Sequence, residues 1–337
     1  MSSSSSRRAS FPSAIPGHAQ TLRNDDLVVP FQVAPLGVRG RVVRLGAVAS
    51  DVLLRHDYPD SVARLLGEAA ALATMLGSSL KFAGQFILKT RTDGPVDLIV
   101  VDFDSPGALR AYAHFDDSSV RALEEAGEAT AANLLGAGHL AMTIDQGSAT
   151  DRYQGVVPLN HETLAEAAHV YFRQSEQIPT EVRLCAAPLI TPGKPLDWRA
   201  GGILIQHLPA EGGMPRTLDL DPGEIPSGAA RPAGIIEDDR WVKARALLAT
   251  VEDHELLDPE LSALQLLYRL YHEDHVRAGD PVALNWHCRC SRPRIENMLR
   301  QFSAEELADM NERGEVVVTC EFCNSTYRFD ADTLECS

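Results

Sequence analysis

Residues 285–329 read NWHCRCSRPRIENMLRQFSAEELADMNERGEVVVTCEFCNSTYRF. Cys288 and Cys290 flank a single residue, Cys320 and Cys323 flank two, and an insert long enough for a helix separates the pairs. Two cysteine pairs arranged in this way can converge on one tetrahedral cation, and four thiolates close such a site without leaving a position for water. Within the insert, Ser303-Ala304-Glu305-Glu306 has the pattern of a capping box and predicts a short helix, after which Gly314–Cys320 runs as a strand into the second pair. A tail this small buries too little to fold unaided, so it is expected to need one Zn²⁺, held by Cys288, Cys290, Cys320 and Cys323.

The same residues invite redox chemistry. Arg289, with Arg292 and Arg294 close behind, places positive charge beside the first pair, and positive charge favours the thiolate that peroxide and hypochlorite attack. Zinc keeps the sulfurs deprotonated but masked. Oxidation to disulfides would expel the ion and remove a folding free energy of roughly 10–16 kcal/mol on the zinc-finger scale. That rivals the ~5–15 kcal/mol of a whole domain, so the centre reads as a switch for folding. His287 adjoins Cys288 and is read as a bystander. Cys185, in VRLCAAPL, is expected to be a buried small hydrophobe, and Cys336 an exposed bystander.

Upstream, residues 31–210 predict an α+β unit of mostly antiparallel strands. The stretch 31–48 reads as strand with a turn at Gly37–Gly40. A helix is expected from Ser61 to Leu76, and hairpin strands within 82–115. Another strand pair flanks Gly147 and Ser148, a helix covers Glu162 to Ser175, and two strands follow at 182–190 and 201–209. Tyr153, Tyr171 and Phe172 are assigned to the core. Residues 211–236 are crowded with Gly and Pro and read as a loop. From Glu237 to Arg277 the period turns helical, with Trp241, Leu247, Leu248, Leu264, Leu267 and Tyr271 on its apolar positions. Residues 237–280 carry a net charge of −6, so this helical linker should be held by docking rather than by itself. The expected division is a flexible extension 1–30, a core 31–210, a loop and metastable linker 211–280, and a zinc domain 281–337.

The 337-residue chain carries a net charge of −16, and its tail is itself acidic, which argues against a nucleic-acid or membrane-surface binder. No apolar run reaches the ~18 residues of a membrane span. The start, MSSSSSRRASFPSAIPG, has no apolar stretch after its arginines, and cysteines gathered at one end do not make a secreted scaffold, so a reducing cytoplasm is expected. Cys320-Glu-Phe-Cys323 follows a strand instead of opening a βαβ helix, which disfavours a thioredoxin-like enzyme. A closed sulfur site disfavours a zinc hydrolase, and there is no Walker motif for ATP. The expectation is a protein that is not an enzyme.

The tail C-R-C-S-R followed by C-E-F-C, together with VRGRVVRL at 38–45, HDYP at 56–59, DGPVDLIVVD at 93–102, YFRQSEQIPT at 171–180, AGGILIQHLP at 200–209 and LLYRLYHED at 266–274, resembles the heat shock protein 33 family over about residues 31–330. The resemblance implies a redox-regulated holdase chaperone of the bacterial cytoplasm, inactive while one zinc is bound to the four cysteines. It further implies that oxidation pairs Cys288 with Cys290 and Cys320 with Cys323, releases zinc and unfolds the linker. The protein would then dimerise and capture unfolding clients without ATP. The residue pattern itself leads to a related expectation: losing the zinc clamp would free Trp241, Leu247, Leu248, Leu264, Leu267 and Tyr271 for client binding or expose a groove beneath them. The N-terminal extension and the long 211–236 stretch depart from the family pattern.

Overall fold

Leu27–Val33 (β1) and Val38–Leu45 (β2) pair antiparallel around a turn over Ala34–Gly37 that closes on Gly37 in the left-handed region, φ 61°. In this computed structural model the described residues are 25–80, 83–146, 152–208, 238–312 and 314–334. The expected turn at Gly147 and Ser148, the loop 211–236, Cys336 and most of the 1–30 extension lie outside them. Two expectations shift here. Gly40 belongs to β2 and not to the turn, because the Phe31 ring lies over it and a Cβ would meet that ring at 2.3 Å. The first strand also starts inside the stretch read as extension, since Leu27, Val28 and Val29 are buried and pair with Arg44, Val43 and Val42.

Ala47–Leu53 (α1) leads to Asp60–Gly77 (α2), which agrees with the expected helix to within a residue. Leu, Ala and Gly fill α2 on nearly every side, and Val62, Leu66, Ala69, Leu72 and Ala73 are wholly buried. A helix apolar all round must be covered all round. Two sheets do this. The first has the order β10-β1-β2-β9-β8, with β11 also on β1; the second runs β12-β5-β4-β3-β6-β7. Their strands are β3 (Gln85–Thr92), β4 (Leu98–Asp104), β5 (Ala108–His114), β6 (Ala137–Asp145), β7 (Tyr153–Asn160), β8 (Thr180–Leu189) and β9 (Asp197–His207). Short connections complete the sheets: β10 (Arg277–Ala278), β11 (Val282–Ala283) and β12 (Asn285–Trp286). Every pairing is antiparallel except β12 with β5. Helices α3 (Asp117–Ala126), α4 (Ala131–Leu135) and α5 (Leu164–Tyr171) fill the remaining connections. Tyr171 and Phe172 are buried as expected, but Tyr153 is 48% exposed on the edge strand β7.

The first sheet is apolar on both faces. Val43, Leu45 and Leu204 face α2, whereas Val29, Phe31, Val38, Val42, Ile203 and Ile205 form a second core with the acidic helical segment. That segment folds as α6 (Asp239–Ala249), α7 (Asp253–Leu257) and α8 (Ala263–Tyr271). Docking is therefore what orders it. Trp241, Leu248, Leu267 and Tyr271 are buried in this core and Leu247 packs beside it; Leu264, expected with them, is 53% exposed on the outer side. Arg44 of β2 is fully buried and donates to the carbonyls of Glu255 and Asp258, while Arg199 of β9 donates to that of Leu257. Asp25 accepts from both arginines. Two core side chains thus supply the donors that the C-terminal end of α7 lacks.

The tail forms α9 (Arg292–Leu299), α10 (Ala304–Asp309), β13 (Asn311–Glu312), β14 (Glu315–Thr319), β15 (Thr326–Asp330) and α11 (Ala331–Leu334) around a third core of Ile295, Leu299, Leu307, Val316, Phe329 and Leu334. Just ahead of Cys288, Val282–Ala283 pairs with β1 and Asn285–Trp286 with β5 of the two large sheets. Among the described residues, no helix is long and apolar enough to cross a membrane.

Candidate metal centre

Ser291 caps α9 with its hydroxyl oxygen accepting from the Arg294 N–H at 3.4 Å, so the first cysteine pair ends where a helix begins. The predicted capping box forms: Glu306 N–H donates to Ser303 Oγ at 3.3 Å, and Ser303 N–H donates to Glu306 Oε2 at 2.8 Å. The β14–β15 hairpin carries the second pair in its turn. There Asn324 N–H donates to the Cys320 carbonyl at 2.8 Å and Cys320 N–H to the Ser325 carbonyl at 3.0 Å. Asn324 takes up the left-handed φ of 56° that this tight turn requires.

These supports bring the four sulfurs to within 4.8 Å of one another. Cys288 Sγ lies 3.7 Å from Cys320 Sγ, and Cys290 Sγ lies 3.2 Å from Cys323 Sγ. A zinc tetrahedron with ~2.3 Å bonds has sulfur–sulfur edges of about 3.8 Å, so the donor set fits a thiophilic cation and can hold one. His287 is not among the converging groups. Tyr327, on β15, reaches Cys290 Sγ at 3.3 Å. Burial pushes the Cys290 thiol up to about 12, and burial likewise raises Cys320. At Cys323 burial also opposes the charge, but hydrogen bonds from Ser325 and Cys290 outweigh it and bring the thiol down to about 7. With burial resisting ionisation at Cys290 and Cys320, an added positive charge is needed before all four can be thiolates.

The expected source of positive charge is different in the structure. Arg289 turns away from the sulfurs and pairs with Asp102 of β4, with Asp104 at 3.7 Å; Arg292 stacks over the Phe329 ring at 4.6 Å. The cation beside the centre is Arg110 of β5, whose Nη1 lies 3.9 Å from Cys288 Sγ. Arg110 also binds Asp102 through Nε at 2.8 Å and Nη2 at 2.6 Å and sits 3.8 Å above the Phe322 ring. Sequence reasoning missed Arg110 and Asp102 because β4 and β5 lie far from the cysteines along the chain, and it missed Phe322, which sits between Cys320 and Cys323, because its partner Arg110 is on β5. Tyr327 carried a usable signal, as it alternates with Phe329 on a strand just past Cys323. Cys185 is buried under α7, with its thiol held up to about 12 by burial and by the charges of Asp253 and Glu68.

Fold and site together define a two-sheet α+β protein whose helical segment covers an apolar sheet face and whose tail gathers four cysteines. A family profile described as Hsp33 protein matches residues 26–330. The chain is 47% identical over 308 residues to the 33 kDa chaperonin of Caulobacter vibrioides, covering 91% of this chain and 95% of that one. It is 36% identical to the 33 kDa chaperonin of Shewanella loihica, with coverage of 88% and 90%. The crystal structure of a 33 kDa chaperonin from Thermotoga maritima matches with a TM-score of 0.69 at 23% identity, covering 92% and 97% of the two chains, and so shares the fold. The chain belongs to the Hsp33 family. It is a chaperone and not an enzyme.

Proposed function

We propose that this chaperone is an ATP-independent holdase of the cytoplasm, switched on by oxidation. In this reading residues 31–210 with the β1 segment form the core, 211–280 the metastable linker, and 281–337 the redox-switch zinc domain. Cys288, Cys290, Cys320 and Cys323 hold one Zn²⁺ in the reduced protein. The ion supplies the charge that keeps four thiolates together and cross-links a core too small to stand alone. Oxidation joins Cys288 to Cys290 and Cys320 to Cys323. As each S–S bond forms, its two thiolates give up two electrons, which one peroxide takes with two protons to leave as two waters. With its ligands spent, the tail unfolds and the linker follows, the protein dimerises, and unfolding clients are bound.

The observation that carries this reading is the second core. Lifting α6–α8 uncovers Val29, Phe31, Val38, Val42, Ile203 and Ile205 on one continuous sheet face, along with the linker's own Trp241, Leu248, Leu267 and Tyr271. An apolar face of this kind attracts partly unfolded chains, and the net charge of −16 keeps the resulting complex in solution. Light scattering from a heat-denaturing client tests the proposal. The oxidised, zinc-free protein should suppress scattering at near-stoichiometric amounts and the reduced protein should not. Equal protection by both forms would favour a constitutive binder.

A further inference from the structure

The residues that seat the cysteine-bearing tail on the core are the spacers inside the two cysteine pairs. Arg289, between Cys288 and Cys290, pairs with Asp102, which is only 4% exposed. Phe322, between Cys320 and Cys323, lies under the Arg110 guanidinium and 6.3 Å from the Tyr112 ring. The backbone of Glu321 and Phe322 faces His56, and Asn324 Nδ2 donates to the Arg55 carbonyl at 3.0 Å. The approach to the seam is held by β12, where Asn285 N–H donates to the Gly107 carbonyl at 2.9 Å and His287 N–H to that of Leu109 at 3.0 Å. The joint is polar and incompletely matched. Arg55 Nε, His56 Nε2, Trp286 Nε1 and Arg289 Nε are buried there without a hydrogen-bond partner among the protein groups. Such a seam returns little free energy on closing, so losing one strong contact opens it.

We propose that Arg289 is the positioning residue that transmits the state of the cysteine centre to the core, by holding Asp102 only while Cys288 and Cys290 keep their present geometry. The sulfurs now in closest reach lie across the pairs, Cys288 with Cys320 and Cys290 with Cys323. Joining Cys288 to Cys290 instead closes a small ring that contains the Arg289 backbone. Two thiolates lose two electrons to a peroxide, which leaves as two waters after taking two protons. The ring must bend to bring the sulfurs to ~2.05 Å, and the Arg289 side chain swings with it off Asp102. Asp102 keeps Arg110 as its partner, so no buried charge is orphaned and the core remains folded while the tail undocks. This device rests on the redox reading above, but its seat on the core does not.

The test uses the full-length, reduced, zinc-loaded protein without client or oxidant. Arg289→Ala should retain one zinc per chain while hydrogen exchange at residues 285–287 and 55–58 rises at least tenfold. Arg328→Ala, which removes only the exposed pair with Glu315, should leave both stretches unchanged. If Arg289→Ala loses its metal, Arg289→Lys, which keeps the charge but not the two-pronged donor, decides by the same reading, with an intermediate rise expected. Wild-type exchange at the seam in a zinc-loaded Arg289 variant would overturn the proposal. Failure of the wild-type protein to gain chaperone activity on oxidation would instead sink the redox reading and leave the docking result standing.

Discussion

Arg44→Met should loosen the linker without touching a cysteine. The side chain is fully buried, and it donates to Asp25 at 3.2 Å, to the Glu255 carbonyl at 3.3 Å and to the Asp258 carbonyl. Methionine fills a similar volume but donates nothing, so the Glu255 carbonyl loses its donor, whereas the Asp258 carbonyl keeps the Leu261 N–H at 3.2 Å. Asp25 remains paired with Arg199 and is not left as an isolated charge. An unsatisfied buried acceptor costs about 1–3 kcal/mol. With one acceptor left unsatisfied and the other keeping a donor, about 2 kcal/mol in all is expected. At 1.4 kcal/mol per factor of ten, linker opening should become roughly 25-fold more frequent. Hydrogen exchange of residues 253–271, normalised to β4 in the other sheet, reads this directly. Zinc content should match the wild type. A rise below threefold, or an equal rise in β4, would refute the claim that Arg44 specifically clamps the linker.

Glu68 on α2 should make stability depend on pH: burial first, then the charge of Asp253 on α7, push its carboxyl from the usual 4.5 up to about 7, against Arg64. The fold prefers the protonated form, so this contribution is full below about pH 4.5 and is lost as pH rises through about 7, a change on the order of 3 kcal/mol. Urea unfolding at pH 5 and pH 8 measures it, and a slope left intact in Glu68→Gln would exclude Glu68 as its source. Leu267→Ala, at a site 1% exposed, should cost about 2–5 kcal/mol. Leu264→Ala, 53% exposed, should stay within about 0.5 kcal/mol by thermal unfolding, and similar losses from both would contradict the docked face described for α8.

The features that were legible in the sequence are those whose cause is local. The Ser303–Glu306 box is complete within four residues, and α2 announces itself by an apolar run that only a helix between two layers can bury. The four cysteines converge on a hairpin and a capped helix, of which the strand β14 was readable and the return strand β15 and the helix α9 were not. The helices α1, α3, α4 and α9 were missed. In α3 only Val120 is buried, so its sequence carries almost no apolar period even though Asp116 caps it through the Ser119 N–H and Gly127 ends it. Leu264 was assigned inward because helical spacing alone does not say which leucine faces the sheet. Arg289 was assigned to the thiols because they are its neighbours in sequence, whereas Asp102 is a neighbour only after β4 and β5 have paired. Interactions that arise from topology leave no mark on the local pattern.

The central claim is that one cation held by four sulfurs keeps the tail folded, the tail seated and the linker closed. Metal release and thiol loss followed together during peroxide treatment test it most directly. The account predicts one zinc per reduced chain, and four thiols lost for each zinc released. Protection of the tail, residues 288–330, should vanish in step with the metal, with that of residues 239–271 following. Reduced protein without bound metal, or complete thiol oxidation that leaves the zinc and the tail's protection in place, would contradict it.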